Sequence, residues 1–379
     1  MSPSRGRYIL EYESGRSFHT FAPAPLQNIS RIDIDNQMLS QLVKAHSLLG
    51  KLDGMFFSIP HIDILRFPLA RYEAICSVEI EKRELLYNER YGAEPYAIPD
   101  EKMIASYADL LLQGKALLSN KATLLDNIRN CHRLILNDDC YEAGQFRTTQ
   151  LFTYPKAVAI GGHPYYNPPN PDEVMMALDD LGKYMNPNVP CEFDSVVQIA
   201  LVYYQLATIR PFLYGNGLAE RVYINLLLMY SGVLSYPLLC MSDYLLGSDV
   251  MYRDTLSLVR DNFKGYEAWL KFFLKVLIAS ADKTIKMLDE IHRLRATDLG
   301  KIRNYERCSP LLLVFYDYLW TTHVVEARNM VSILDVSYNT VAKAVDTLRS
   351  LDILKQADAK TRYRRFEYRR LLSIFREQQ

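Results

Sequence analysis

Arg210-Pro211-Phe212-Leu213-Tyr214-Gly215-Asn216-Gly217-Leu218-Ala219-Glu220-Arg221 is the stretch on which the fold turns. Before it, Val196, Val197, Ile199, Ala200, Tyr203, Tyr204 and Ile209 recur at helical spacing, and Pro211 ends that helix. After it, Leu226, Leu227 and Leu228 lie in a second helix. The loop from Arg210 to Gly217 therefore joins two apolar helices. Gly215 and Gly217 are free to take positive φ, which predicts a turn whose backbone N–H groups converge at a helix N-terminus, a geometry that attracts phosphate oxygens. Arg221, one turn into the second helix, adds a bidentate contact to the same anion. Gly-Asn-Gly is also a common turn. The apolar helix before it, the Pro-Phe pair and the arginine four residues on make the combination specific.

Working outward, 379 residues with 49% hydrophobic side chains predict two or three globular domains with ample core. No apolar run approaches a membrane span, and the first residues, MSPSRGRYILEYESGR, lack the apolar segment of a signal peptide. The expectation is a cytoplasmic protein with no membrane partner. Six cysteines are scattered without CxxC pairs and seven histidines without helical pairing, so neither a zinc site nor a disulfide framework is expected. Net charge is zero, which argues against a uniformly basic nucleic-acid surface. Most segments carry a 3.6-residue period, among them Met38–Leu52, Pro171–Met185 and Glu267–Leu288, so the fold is expected to be mainly α.

The Arg210–Arg221 stretch resembles the signature of the Fic family of protein adenylyltransferases, H-P-F-x-[D/E]-G-N-G-R-x-x-R. Pro211, Phe212, Gly215, Asn216, Gly217 and Arg221 match; Arg210 replaces the family's catalytic histidine, Tyr214 its metal-binding carboxylate, and Leu218 its first arginine. The resemblance extends from about Met38 to Leu277 and includes Gly144-Gln145-Phe146-Arg147 and Tyr266–Leu274. It implies a Fic-domain helical core with a short β-hairpin flap at Pro155–Pro171, in which Ile160, Gly161 and Gly162 would hold a target protein by strand addition. It also implies that Gly215, Asn216, Gly217 and Arg221 bind a nucleotide. Upstream, Ser77 and Glu81 resemble the inhibitory helix of self-regulating members, [S/T]-x-x-x-E-[G/N], with Lys82 departing at the last position. The resemblance implies a Glu81–Arg221 ion pair filling the γ-phosphate space; in physical terms this is a charge-assisted contact between segments far apart in sequence.

The C-terminal segment reads as a separate module. Ser309–Trp320 and Ala327–Leu334 have helical periods, and Val336–Thr340 makes a turn and N-cap into Val341–Leu348. Arg362–Tyr368 alternates like a strand. The order resembles a winged helix-turn-helix. Lys355 to Arg376 hold eight basic against two acidic residues, so Arg362, Arg364 and Arg365 are candidate DNA contacts, together with Lys343 on the helix that would enter a major groove. Self-association into a homodimer is the competing use of such a module. The expected organisation is a helical N-terminal region over 1–115 with the inhibitory helix near 73–85, a Fic core over 116–295, and the winged helix over 296–379.

Two functions from different classes are compatible with these residues. An adenylyltransferase moving AMP from ATP to a protein hydroxyl needs a base and a cation on the phosphates. Arg210 does not accept a proton near neutral pH, and the phenol of Tyr214 is a poor Mg2+ ligand, so no metal residue is assigned. Activity would then need an unusual base. The other reading is a non-catalytic member, a pseudoenzyme whose loop holds ATP or another phosphate ligand, or whose C-terminal module acts as a DNA-binding regulator.

Overall fold

The computed structural model describes residues 5–13, 16–29, 31–58, 63–89, 100–118, 123–137, 142–152, 167–186, 191–237, 239–261, 265–306, 309–320, 322, 324–358 and 364–376. The chain packs as two compact units, Met1–Asp53 with Leu69–Ala281, and Gly54–Pro68 with Asp282–Gln379. The fold is mainly α with short antiparallel sheets.

The first unit is organised around one helix. In chain order its elements are β1 (Gly6–Glu13), β2 (Arg16–Pro23), α1 (Asn36–Ser58), α2 (Asp63–Glu89), α3 (Asp100–Leu118), α4 (Leu124–Leu136), α5 (Pro171–Tyr184), α6 (Ser195–Ile209), α7 (Asn216–Tyr230), α8 (Met241–Leu246), α9 (Asp249–Asp261) and α10 (Gly265–Arg303), with α1, α2 and α10 running on into the other unit's residues. α7 is buried from Asn216 to Met229, and α6 is buried over nearly all its length. A helix buried on every side belongs in a core, and the polar residues that α7 carries there all need partners. α3, α4 and α6 pack around α7 accordingly. α4 shows the complementary pattern. Leu124, Ile128, Cys131, Ile135 and Leu136 form its buried stripe, and a Thr123–Asp126 capping box starts it. Trp269 of α10 is fully buried and donates its indole N–H to the Ala200 carbonyl at 2.6 Å, tying α10 to α6.

Residues 6–23 correct the sequence expectation of a helical N-terminal region. They form an antiparallel hairpin, with Tyr8 opposite Phe21 and Leu10 opposite His19. The reason is local: Tyr8, Ile9, Tyr12, Phe18, Thr20 and Phe21 are aromatic or β-branched residues that favour strands. The hairpin lies along the start of α5. Arg7 pairs with Glu173, and Asn170, the N-cap of α5, donates to Glu11. The expected flap residues Ile160, Gly161 and Gly162 lie outside the described residues, as does Arg362.

The second unit contains α11 (Pro310–Tyr318), β3 (Val324–Glu326), α12 (Ala327–Leu334), α13 (Tyr338–Ser350), β4 (Lys355–Gln356), β5 (Arg365–Glu367) and α14 (Arg369–Arg376). Asp335 turns the chain in the left-handed region after α12, and the Ser337 hydroxyl caps α13. The strands pair in the order β3-β5-β4, with Phe366 opposite both Val325 and Gln356. Phe315, Tyr316, Trp320, Val341, Leu348, Phe366 and Tyr368 make the core. At its centre Asp298 is fully buried, accepting from Tyr368 at 2.6 Å and from Arg370 at 2.7 Å. The strand expected over Arg362–Tyr368 is therefore confined, among the described residues, to Arg365–Glu367. Arg369 and Arg370 belong to a helix.

Candidate functional site

The Arg210–Gly217 loop is held by a polar frame. Arg210 ends α6 in the left-handed region, with φ of 44°, and its N–H closes on the Leu206 carbonyl. Asn216 folds its amide back over the loop, accepting from the Phe212 N–H at 2.9 Å and donating to the Phe212 carbonyl at 2.7 Å. Arg147, also buried, clamps the carbonyls at the end of α6. Its guanidinium donates to the Arg210 carbonyl at 2.8 Å and to that of Pro169 at 2.5 Å, while its backbone N–H reaches the Pro211 carbonyl.

His132 of α4 locks the other side. Its ring stacks on Phe212 with centroids 3.8 Å apart and planes 4° from parallel. The Gly144 N–H donates to Nδ1 at 2.8 Å, so Nδ1 is bare, and Nε2 carries the proton and donates to the Tyr214 carbonyl at 2.9 Å. Burial pushes the imidazole down to about 4, opposed in part by the Tyr214 carbonyl. A neutral histidine is therefore a permanent part of the loop. It also explains Gly215, which sits at φ of +66° with the site of its missing Cβ 3.2 Å from His132 Nε2.

Along the opposite side, α2 runs against α7 through side chains four residues apart. Glu73, Ser77 and Glu81 fall on one face of α2; Asn225, Arg221 and Gly217 answer them on α7 in reverse order. Glu73 accepts from Asn225 at 3.3 Å. The Ser77 hydroxyl accepts from Arg221 Nε at 2.8 Å, and its carbonyl from Nη2 at 2.9 Å. Glu81 Oε2 lies 3.7 Å from Arg221 Nη2, and its Oε1 accepts the Gly215 N–H at 3.1 Å. The Glu81 and Arg221 side chains are only 5% and 6% exposed. The carboxylate thus occupies the point on which the α7 N-terminus and Arg221 converge. The Arg221–Glu81 contact is an ion pair outside hydrogen-bond range; the tight hold on Arg221 comes from Ser77.

The structure brings Ser77, Glu81, Gly215, Asn216, Gly217 and Arg221 together. Arg210 and Tyr214 lie on the same loop, half-buried. Gly217 differs from expectation. It lies inside α7 without positive φ, and its lack of a side chain serves space, since a Cβ there would stand 2.6 Å from Arg221 Nη1 and 3.1 Å from Glu81 Oε2. Leu218 is 1% exposed and belongs to the core. In the second unit, Lys343 on α13 and Arg365 on β5 are placed by the fold as expected of surface positions, and the Arg364 guanidinium lies over the Phe366 ring. The excess of basic residues counted along the sequence is partly neutralised by ion pairs, Arg370 with the buried Asp298 and Arg369 with Glu367 at the surface. His132, Arg147 and Glu73 were not singled out by the sequence as parts of the site. The available signal for His132 and Glu73 was a polar residue on an otherwise buried helical face, which demands partners.

These features define a helical protein whose central helix starts at a glycine-bracketed anion nest, already filled by an internal carboxylate. Residues 122–228 match the Fic/DOC family. The chain is 34% identical to protein adenylyltransferase fic-1 of Caenorhabditis elegans over 109 residues, covering 28% of this chain and 20% of that protein. It is 28% identical to protein adenylyltransferase Fic of Drosophila mojavensis over 222 residues, 56% of this chain and 39% of that one. The alignments thus span less than half the length of these relatives. Among solved structures, a Fic family protein from Desulfovibrio desulfuricans G20 superposes with a TM-score of 0.52 at 13% identity, covering 89% of this chain and 97% of that one. The chain thus carries a Fic/DOC-family segment over residues 122–228.

Proposed function

We propose that the Gly215–Arg221 loop binds the phosphates of a nucleotide such as ATP without transferring AMP, and that Glu81 restrains this binding. The observation that carries the proposal is Glu81 itself. A carboxylate that accepts the Gly215 N–H and lies beside Arg221 supports a site built to stabilise negative charge. A phosphate that displaced it would meet the same donors, and the missing side chain at Gly217 leaves room for the exchange. Arg221 and the Gly215 N–H would hold the phosphates, with Arg210 adding a cation from the end of α6.

Transfer is a different matter. Arg210 cannot accept the proton of an attacking hydroxyl, a role worth roughly 100- to 10,000-fold where a base is present. His132 does not take over, because both ring nitrogens are engaged and the ring is buried. Position 214 offers a neutral phenol, so the loop does not fit a magnesium ion at that point. The relatives named as protein adenylyltransferases make AMP transfer to a target protein the alternative for this chain. Incubation with α-labelled ATP and candidate protein acceptors separates the two: the proposal expects no covalent label above background, and robust labelling would refute it.

A second reading concerns the C-terminal unit, proposed as a winged helix over about 296–379 that binds DNA through α13 and the β4–β5 edge. It is favoured by the exposed Tyr338, Asn339 and Thr340 at the start of α13, with Lys343 one turn on, where such folds meet a groove. Binding that falls steeply with salt would support it.

A further inference from the structure

Glu73 is a buried acid that the proposed chemistry does not use. Its side chain sits one turn before Ser77 on α2 and is sealed from solvent. Four groups point at it: the Ser242 N–H at 2.8 Å, the Ser242 hydroxyl at 2.6 Å, the Asn225 amide at 3.3 Å and the Tyr107 hydroxyl at 3.4 Å. Such a set of donors suits a carboxylate. Asn225 also donates to the Arg221 carbonyl one turn away, so the two residues share a partner.

Arg221 therefore lies between two acids, Glu81 towards the nest and Glu73 towards the core. We infer that anion binding at the Gly215–Arg221 loop is coupled to proton uptake at Glu73, so that this carboxyl sets how firmly Arg221 holds a phosphate. The inference rests on the nucleotide-binding reading above and adds its regulation. With Glu73 ionised, the Arg221 charge is shared with an internal carboxylate. With Glu73 neutral, the same charge is available to the ligand. A bound phosphate in turn adds negative potential and disfavours ionisation of Glu73, so both effects have the same sign, as linkage requires.

The groups around Glu73 are compatible with this role. They are Tyr107 on α3, Tyr203 on α6, Arg221 and Asn225 on α7, and Ser242 on α8, while Tyr72, the neighbour of Glu73 on α2, is committed to Asp243 at 2.7 Å. Burial holds Tyr72, Tyr107 and Tyr203 neutral, well above their ordinary range. Arg221 is the charge that acts on Glu73 from among them. Burial raises the Glu73 carboxyl to about 7, against its hydrogen bonds and Arg221, which places its titration where physiological changes in pH reach it.

The test uses ATP as the probe and the full chain carrying Glu81→Gly, with and without Glu73→Gln. The titration of ATP itself is common to both proteins and cancels in the ratio of their Kd values. Near pH 6, where Glu73 is largely protonated, the ratio of the Glu73 protein to the Glu73→Gln protein is expected close to unity. By about pH 8 it should rise about fivefold, on the way to a limit of about tenfold at higher pH, the equivalent of a one-unit displacement of the Glu73 titration by the ligand. ATP binding with a ratio that does not change with pH would overturn the coupling and leave the nucleotide reading intact. Absence of ATP binding in both proteins at every pH would overturn both. Should Glu73→Gln fail to fold, the assigned 13C resonance of the Glu73 carboxyl in the Glu81→Gly chain decides the matter. Its titration midpoint must move upward when ATP is added, and a midpoint that stays put refutes the inference.

Discussion

Replacing His132 by phenylalanine keeps a ring against Phe212 and removes two hydrogen bonds, those to the Tyr214 carbonyl and from the Gly144 N–H. Each buried group left unpaired costs about 1–3 kcal/mol, so His132→Phe should destabilise the chain by about 2–6 kcal/mol at neutral pH. The pH dependence comes from the depressed imidazole, at about 4 in the fold against an ordinary value of 6.5. Above that ordinary value both folded and unfolded chains carry a neutral ring, and the contribution is flat. As pH falls from there towards 4, the unfolded chain takes up a proton that the folded one refuses, so stability is lost. The whole loss is about 3 kcal/mol. Glu73, raised in the fold, acts with the opposite sign over an overlapping range, so the parent alone does not isolate His132. The difference between parent and variant does. Urea denaturation from about pH 7 to about pH 4 should show the stability gap narrowing by about 3 kcal/mol. A gap independent of pH, or a variant as stable as the parent, would refute the assignment of His132 as the neutral lock of the loop.

The same geometry sets other expectations. Gly217→Ala places a methyl group against Arg221 and Glu81 and should weaken ATP binding about tenfold while costing under about 2 kcal/mol in unfolding assays, since flexible side-chain ends give way. Equal ATP affinity would show that Arg221 does not need its present position. Leu218→Arg, which restores the family's residue, should lower stability by about 3–5 kcal/mol in thermal or urea unfolding, because position 218 is in the core. Unchanged stability would mean that the new side chain reaches the pocket. In the C-terminal unit, Arg364→Ala with Arg365→Ala should reduce the salt slope of duplex DNA binding by about two units in mobility-shift titrations. A slope unaltered by the pair would place DNA elsewhere or rule it out.

What the sequence reveals and conceals has physical causes. α6 was legible because a helix buried all round is written as a nearly continuous apolar run, and α7 because Pro211 and Gly215 punctuate the chain before Leu226, Leu227 and Leu228. Ser77 and Glu81 carry the spacing of one helical face, but that this face meets Arg221 depends on tertiary packing between segments 144 residues apart. His132, Arg147 and Glu73 act through such long-range contacts with backbone groups or buried side chains, and no local pattern names their partners. The hairpin at residues 6–23 rests on aromatic and β-branched residues without a clean period of two, a weaker signal than the helical periodicity that dominates the chain from Met38 onward. Counting charge along Lys355–Arg376 overstated the free basic surface, since the partner of Arg370 is Asp298, on the preceding long helix.

The most direct measurement of the central claim is retention of α-labelled ATP by the Glu81→Gly chain in the presence of protein acceptors, read before and after denaturation. Label should be held by the native protein through Arg221 and the α7 N-terminus, and released completely when the protein is unfolded. Label that survives denaturation on any protein would contradict the non-catalytic reading, and native protein that retains none would contradict the anion nest itself.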